Sequence, residues 1–279
     1  MVAAMAAFSM EDMFVKSAAS HVAVGIVLMI FGLGGMAVFA ALVASRGQSL
    51  GHRAVLSPPM LIKLCLEVVG RLGYTLGIAL TPLTNASTIL QATPLVVVAG
   101  AAIVFSERVS ARRWIAIGIG FIGVLIVLRP GLEGFVPAAL WTVLGMFGFA
   151  GRDLATRACP PVLSNFQLSF YGFAMLIPTG ALILLITGGS GLPDWVALRD
   201  IAGAVCFGTF AYWSLTKAMR MGEVSVITPF RYTRLIFALI LGALVFGERP
   251  DSAMILGSVL IVASGLYTLL EQRRVRRLA

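Results

Sequence analysis

Long apolar stretches separated by short polar breaks fill almost the whole chain. At about 1.5 Å per residue, each stretch is long enough to cross a hydrocarbon layer of about 30 Å when tilt is allowed. The period-two alternation of strands is absent, and helices satisfy their own backbone hydrogen bonds in lipid. The pattern therefore predicts an all-α integral membrane fold. Ten transmembrane helices are predicted, at residues 2–19, 23–45, 57–80, 84–105, 111–129, 137–156, 165–187, 195–218, 223–247 and 252–271.

The two halves of the chain share features at an offset of 141 residues. Residues 105–108 (Phe-Ser-Glu-Arg) match residues 246–249 (Phe-Gly-Glu-Arg) within the apolar stretch 228–272. The same offset relates three further pairs, namely Asp12 and Asp153, Lys16 and Arg157, and Cys65 and Cys206. Each half then holds five spans, and an odd number per repeat places the halves in opposite orientations. We predict two inverted five-helix repeats around a central cavity, at residues 1–135 and 136–279.

Composition agrees with a membrane protein. Hydrophobic residues make up 59% of the chain and charged residues 12%, with a mean hydropathy of +0.98. Soluble domains carry about 25% charged residues, so lipid must contact much of this surface. The net charge of +9 is explained by the Lys and Arg residues that membrane proteins collect in their cytoplasmic loops. Nucleic acid is therefore not an expected partner. Membrane lipids are expected partners, with the basic tail at residues 273–277 near anionic headgroups.

The positions of lysine and arginine predict the topology. With a cytoplasmic N-terminus, the inner loops and tail hold Arg46, Arg53, Arg108, Arg112, Arg113, Arg157, Lys217, Arg220, Arg273, Arg274, Arg276 and Arg277. The outer loops hold only Lys16, Arg129 and Arg249. A nine-span alternative without residues 2–19 places the N-terminus outside and breaks the repeat. We therefore predict ten spans with both termini cytoplasmic. A cleaved signal peptide is not expected, because Glu11, Asp12 and Lys16 interrupt the first apolar stretch.

The chain resembles the EamA-type carriers of the drug/metabolite transporter superfamily. The resemblance rests on the paired halves, the Phe-Ser/Gly-Glu-Arg helix ends and the glycine-bearing helix after each end. The resemblance covers the whole chain and is most specific at residues 86–128 and 223–270. It implies a ten-helix bundle that moves small metabolites across a bacterial cytoplasmic (inner) membrane, with amino-acid exporters, including aromatic ones, as the favoured subgroup. The halves differ at one point: Pro94 lies 13 residues before Glu107, whereas Leu235 holds the matching place before Glu248.

Candidate site residues in the first half lie on the third and fourth spans. Lys63, Glu67 and Arg71 share one helix face at spacings of four. Charges within spans normally face the protein interior or a cavity, so Glu67 could bind a cationic amine and Arg71 a carboxylate. The alternative is a structural ladder of ion pairs along the helix. The neighbouring candidates are Tyr74, Thr88 and Gln91.

In the second half, Tyr212 and Trp213 lie deep in the eighth span, and Arg231, Tyr232 and Arg234 follow in the ninth. Two unpaired cations there would be costly. We expect one of the arginines to pair with an intramembrane carboxylate and the other to reach the cavity. The carboxylates that qualify are Glu11, Asp12, Glu67 and Asp153.

Other polar residues are predicted to be structural. The Glu-Arg corners at residues 107–108 and 248–249 should end spans rather than bind ligand. The pairs Asp12/Lys16 and Asp153/Arg157 have the i,i+4 spacing of helical ion pairs. Gly70, Gly73 and Gly77 should allow close helix packing.

Catalytic chemistry finds little support. Three cysteines without a CxxC motif and two histidines predict no metal site, no cofactor and no enzyme. We predict a transporter that exports amino acids, including Thr, Met or aromatic ones, by alternating access. The alternative is uptake of a larger metabolite such as S-adenosylmethionine or riboflavin, because residues 229–235 (PFRYTRL) resemble bacterial carriers with such roles. A membrane-embedded enzyme is disfavoured. Direction of transport and proton coupling are left open by the sequence.

Overall fold

The structure, a computed structural model, describes residues 1–104, 106, 109–130, 132, 136–221 and 228–278. Every regular element in this part of the chain is helical, which confirms the all-α prediction. The helices are α1 (Val2–Ala18), α2 (Val24–Ala44), α3 (Pro58–Leu80), α4 (Leu83–Leu90), α5 (Thr93–Val104), α6 (Ala111–Leu128), α7 (Ala139–Arg157), α8 (Asn165–Ala174), α9 (Leu176–Thr187), α10 (Trp195–Met221), α11 (Thr233–Phe246) and α12 (Ser252–Leu278). Short 3-10 helices cover Arg53–Leu56 and Thr228–Tyr232.

Two of the predicted spans are each broken into two helices by a proline. Pro94 cannot donate to the carbonyl of Leu90, four residues earlier, and α4 ends at that residue. The Thr93 hydroxyl donates to the Leu90 carbonyl at 2.6 Å, so the freed carbonyl is already bonded within the protein. Pro178 likewise offers no donor to Ala174, where α8 ends. The breaks therefore fall in different positions in the two halves.

The ninth predicted span differs most from the structure. It was predicted as a helix over residues 223–247, but α11 begins only at Thr233, after the 3-10 helix. Residues 222–227 lie outside the described part of the chain, as do Glu107 and Arg108 of the first corner.

Four described helices are long and apolar enough to cross a membrane: Val24–Ala44, Leu83–Val104 (α4 and α5 together), Ala111–Leu128 and Asn165–Thr187 (α8 and α9 together). Large apolar side chains such as Ile122, Leu185 and Leu244 are exposed on helix surfaces. Exposed apolar surface of this extent is stable in lipid rather than in water. The chain is therefore a multi-pass membrane protein.

Helices α3 and α7 pack so closely that their backbones touch. A Cβ atom added at Gly148 would lie 2.4 Å from the Gly70 nitrogen, and one added at Gly73 would lie 2.4 Å from the Trp141 carbonyl oxygen. Small residues at a helix contact allow such an approach in membranes. The packing role predicted for Gly70 and Gly73 is confirmed by these contacts. Other extensive helix contacts join α1 with α10, α2 with α8 and α9, and α6 with α12.

The loop between α11 and α12 contacts the C-terminal end of α6. Asp251 contacts the Arg129 guanidinium and accepts a hydrogen bond from the backbone N–H of Met254 at 2.8 Å. These interactions, with the backbone hydrogen bond the largest, lower the pKa of the Asp251 carboxyl. The charged form of Asp251 therefore stabilises the start of α12.

We expect Gly148→Ala to destabilise the protein, because the added methyl group meets α3 backbone that cannot rotate away. Overpacking of this kind costs about 1–3 kcal/mol. The measurement is the thermal unfolding midpoint and the monodisperse fraction in size-exclusion chromatography. Gly118→Ala is the matched control, because no atom lies within 4 Å of a Cβ added there. Equal midpoints for the two variants would contradict the packing described.

Candidate functional site

Nine charged side chains meet at the centre of the bundle, and we call them the central charge network. They come from α1, α3, α7, the 3-10 helix before α11, and α11 itself. The members are Glu11, Asp12, Lys63, Glu67, Arg71, Arg152, Asp153, Arg231 and Arg234. Charges buried in a membrane protein are costly unless they pair, and each member has an oppositely charged partner here.

Glu67 joins α3 to α7 and α10. Its carboxylate lies 3.6 Å from the Lys63 amine and 3.1 Å from Nη1 of Arg152, and it accepts a 3.0 Å hydrogen bond from the Tyr212 hydroxyl. The Glu67 side chain is 0% exposed. The predicted ladder along α3 is thus formed between Lys63 and Glu67, while Arg71 donates to Glu11 of α1 at 2.7 Å. In this conformation Glu67 is occupied by protein partners rather than open to a ligand.

The arginines of the ninth span are both paired. Arg231 donates to Asp153 at 2.9 Å, and Arg234 donates to Asp12 at 2.6 Å. The prediction that only one of them would pair is wrong, because α1 and α7 each bring an aspartate to the same region. Tyr74 completes this arrangement by donating to Asp12 at 2.9 Å. Both arginines also line the smaller of the two spaces described next.

Two neighbouring spaces lie beside the network. The larger, which we call the chamber, has a volume of about 350 Å³ and extends to Cys159 and Pro161 in the α7–α8 loop. The smaller, which we call the constriction, has a volume of about 40 Å³. Arg152, Leu215 and Arg231 line both spaces. The two spaces therefore adjoin at these shared side chains.

Most of the predicted site residues lie around these spaces. Those that line the constriction are Arg71, Tyr74, Gln91, Arg231 and Arg234, and Tyr212 lines the chamber.

Four predicted residues line neither space. Glu67 is one of them, enclosed by Lys63, Arg152 and Tyr212. The Thr88 hydroxyl donates to the Thr84 carbonyl and lies 3.3 Å from the Ser258 hydroxyl, towards α12. Trp213 lines a separate groove with Phe39 and Phe166. The Tyr232 hydroxyl is buried against Gly265 of α12. These positions follow from which face of each helix meets its neighbour.

Sequence reasoning missed Arg152 as a site residue, although it bonds Glu67 and Asp153 and lines both spaces. A signal was present in the repeat. The offset of 141 that relates Asp12 to Asp153 also relates Glu11 to Arg152. The dipeptide Glu11-Asp12 therefore corresponds to Arg152-Asp153, and both dipeptides enter the central charge network.

At the end of the bundle away from the α7–α8 loop, Glu248 joins the segment after α11 to the start of α4. Its two carboxylate oxygens accept hydrogen bonds from the backbone N–H groups of Leu83 at 2.7 Å and Thr84 at 2.9 Å. A carboxylate is stabilised at a helix N-terminus, here that of α4. The Lys16 amine lies 3.4 Å from Glu248 and donates to the Thr81 carbonyl at 2.6 Å. We call this set the Lys16–Glu248 seal.

The contacts of the Lys16–Glu248 seal bear on two of the sequence predictions. Glu248 has the structural role predicted for it. The predicted Asp12–Lys16 pair is wrong: Asp12 bonds Arg234 and Tyr74, and Lys16 bonds Glu248. The two residues are a turn apart on α1, but each has a partner on another helix.

Comparison with known proteins gives a consistent result. The profile of the EamA-like transporter family matches residues 1–129 and again residues 136–270. The S-adenosylmethionine uptake transporter of Rickettsia prowazekii is 24% identical, over 74% of this chain and 69% of that protein. The riboflavin transporter of Vibrio cholerae is 28% identical, over 78% of this chain and 73% of that protein.

Two further similarities extend over nearly the full length. The pseudopaline exporter CntI of Pseudomonas aeruginosa is 24% identical, over 92% of this chain and 90% of that protein. A solved crystal structure superimposes with a TM-score of 0.65 over 98% of both chains, at 18% sequence identity, which supports the fold alone. Since the family profile covers both halves, the chain belongs to the EamA-like transporter family of the drug/metabolite transporter superfamily.

Proposed function

We propose that this protein carries small polar metabolites, amino acids in particular, out of a bacterial cell across the cytoplasmic membrane by alternating access. The observation that carries the proposal is a polar chamber that extends to one end of the bundle while the opposite end is closed by the Lys16–Glu248 seal. Transporters with inverted repeats bind substrate near the membrane midplane, between the repeats, and expose it to one side at a time.

The contacts between helices support ten spans in two inverted repeats, at residues 1–135 and 136–279. Under the offset of 141, α1 corresponds to α7 and α3 to α10. The contact of α1 with α10 then has its counterpart in the contact of α7 with α3, and both are extensive. The contact of α1 with α11 likewise matches that of α7 with α4 and α5. The family profile also matches each half separately.

Helix α3 relates the two ends of the pathway. Near its start, Met60 lies 3.9 Å from the Cys159 sulfur at the chamber end. Near its other end, the carbonyls of Ile78 and Thr81 accept hydrogen bonds from Lys16. The 18 residues between Met60 and Ile78 correspond to about 27 Å of helix, close to the thickness of a hydrocarbon core. With both termini cytoplasmic, as the loop charges indicate, the chamber faces the cytoplasm.

The chamber volume bears on the substrate. Ligand pockets for drug-sized molecules measure about 300–1,000 Å³, so a chamber of about 350 Å³ favours a small solute. Uptake of a larger metabolite is the second candidate, because relatives are named as transporters of S-adenosylmethionine and riboflavin. A membrane-embedded enzyme has less support, since the named relatives are transporters.

We expect proteoliposomes that contain the purified protein and radiolabelled Thr, Met or Phe to release at least one of these amino acids faster than protein-free liposomes. Alternating access would expose the chamber to each side of the membrane in turn, a route that the bare bilayer lacks. Repeating the release with and without a proton gradient measures coupling. Release at the protein-free rate for every amino acid, combined with entry of S-adenosylmethionine or riboflavin, would replace export with the second candidate.

We expect Arg234→Ala to slow transport at least tenfold, because it removes a cation from the constriction and the partner of Asp12. Removing one member of a buried ion pair costs about 3–5 kcal/mol, so folding is checked by the unfolding midpoint. Arg234→Lys, which keeps the charge, should recover part of the rate. Trp213→Phe is the control outside the two spaces. Normal transport by folded Arg234→Ala would assign Arg234 a purely structural role.

We expect Glu248→Gln to loosen the sealed end, because an amide cannot accept from both α4 N–H groups and loses the charge that attracts Lys16. The measurement uses a cysteine at position 90, in the constriction, in a background without Cys65, Cys159 and Cys206. A membrane-impermeant thiol reagent added at the sealed side should react several-fold faster in the variant. Glu271→Gln, the same substitution near the C-terminal end of α12, is the control. Unchanged labelling would show that Glu248 does not hold this end closed.

A further inference from the structure

The constriction is lined by cations and hydrogen-bond donors. Four arginines contribute to its wall, and no Asp or Glu side chain does so among the described residues: Arg71, Arg152, Arg231 and Arg234. Every carboxylate of the central charge network therefore lies behind the wall or beside the chamber. A ligand group in the constriction is in contact with positive charge.

Three residues of this wall each contain a buried donor atom that has no hydrogen-bond partner among the described residues: Arg71 Nε, Gln91 Nε2 and Arg234 Nε. Arg71 is 6% exposed and Gln91 is 4% exposed, so water reaches these atoms poorly. A buried donor without an acceptor is unfavourable, and native proteins usually satisfy such groups with protein, water or ligand. The unpartnered acceptor Glu11 Oε2 is not part of this wall.

The ion pairs of the network leave one positive charge uncompensated. Five cations (Lys63, Arg71, Arg152, Arg231 and Arg234) share four carboxylates (Glu11, Asp12, Glu67 and Asp153). Glu67 and Asp153 each serve two cations, as the distances to Lys63, Arg152 and Arg231 show. In a low-dielectric interior an excess cation attracts an anion strongly.

We infer that the constriction is a carboxylate-binding subsite, and that the substrate is recognised by its carboxylate rather than by an amino group. This rests on the proposed function, in which the chamber and constriction form the substrate path. A carboxylate supplies only acceptor oxygens and one negative charge, which match the free donors and the excess cation.

The sizes of the two spaces agree with a carboxylate in the constriction and the rest of the substrate in the chamber. The constriction, at about 40 Å³, accommodates a functional group but not a whole metabolite. Phe8, Phe149 and Leu90 provide apolar wall beside the donors, and the chamber beyond Leu215 holds the rest of the molecule. The subsite therefore takes the carboxylate of a small, partly apolar acid. Riboflavin, which has no carboxylate, does not match it.

The test uses three probes that differ in one charged group each: methionine, N-acetylmethionine without the amino charge, and methioninamide without the carboxylate. The readout is the ligand-dependent unfolding midpoint of the full chain in lipid nanodiscs, which does not depend on transport. We expect methionine and N-acetylmethionine to bind at least tenfold more tightly than methioninamide, since hydrogen bonds to a charged group contribute about that factor or more. Equal or tighter binding of methioninamide, or stabilisation by none of the probes, would overturn the inference.

Variants at Gln91 sharpen the test, because no ion pair depends on this residue. Gln91→Glu removes the free donor and cancels the excess positive charge, so binding of N-acetylmethionine should weaken at least tenfold while binding of methioninamide strengthens. Gln91→Leu removes only the donor and should weaken N-acetylmethionine less. Gln48→Glu adds the same charge on an exposed loop and should change neither affinity. A folded Gln91→Glu that keeps its preference for N-acetylmethionine would exclude Gln91 from the subsite and contradict the charge argument.

The outcome also separates this inference from the proposed function. Amino-acid release from liposomes that methioninamide inhibits as well as N-acetylmethionine does would refute the carboxylate subsite and leave transport standing. Carboxylate-selective stabilisation without release of any solute would refute transport and leave the subsite standing.

Discussion

The pairing of buried carboxylates with arginines is the constraint on which the rest of the bundle depends. An isolated charge in a hydrocarbon-facing helix costs several kcal/mol, on the order of 2.5–3.5 on insertion scales, so α1, α3, α7 and α11 must bring their charges together. The ion pairs Arg71–Glu11, Arg152–Glu67 and Arg234–Asp12 join these four helices. The glycine contact between α3 and α7 brings Glu67 within reach of Arg152. Helix packing and charge pairing thus stabilise the same arrangement.

One pair of equivalent charges in the two halves is opposite in sign. Glu11 and Arg152 occupy equivalent places on the first helix of each half, and each pairs with a side chain of α3. Both partners, Arg71 and Glu67, lie on α3, so ion pairs join α3 to α1 and to α7. The second half offers only the Tyr212 hydroxyl at the place equivalent to Arg71. A transport cycle that exchanges the roles of the two halves therefore passes between conformations with unequal electrostatic energies.

Apart from the ninth span, the sequence predicted the helix positions because hydropathy and helix length are local properties. Pro94 and Pro178 account for the two breaks within predicted spans. The sequence also predicted five of the residues that line the constriction, because polar and aromatic side chains in apolar helices often face the protein interior: Arg71, Tyr74, Gln91, Arg231 and Arg234. Pairing partners were less predictable: i,i+4 spacing suggested Asp12–Lys16, whereas the contacts of both residues lie on other helices. Trp213 is a candidate from its depth in the eighth span and Tyr232 from its place between Arg231 and Arg234, and neither property fixes which face of a helix meets the interior.

Glu248 contacts α4 through backbone N–H groups, not through the side chains of Leu83 and Thr84. Any residue except proline offers the same donors, so positions 83 and 84 are free to vary without loss of this contact. Methods that detect contacts from correlated substitutions would therefore find only the Lys16 side of the seal.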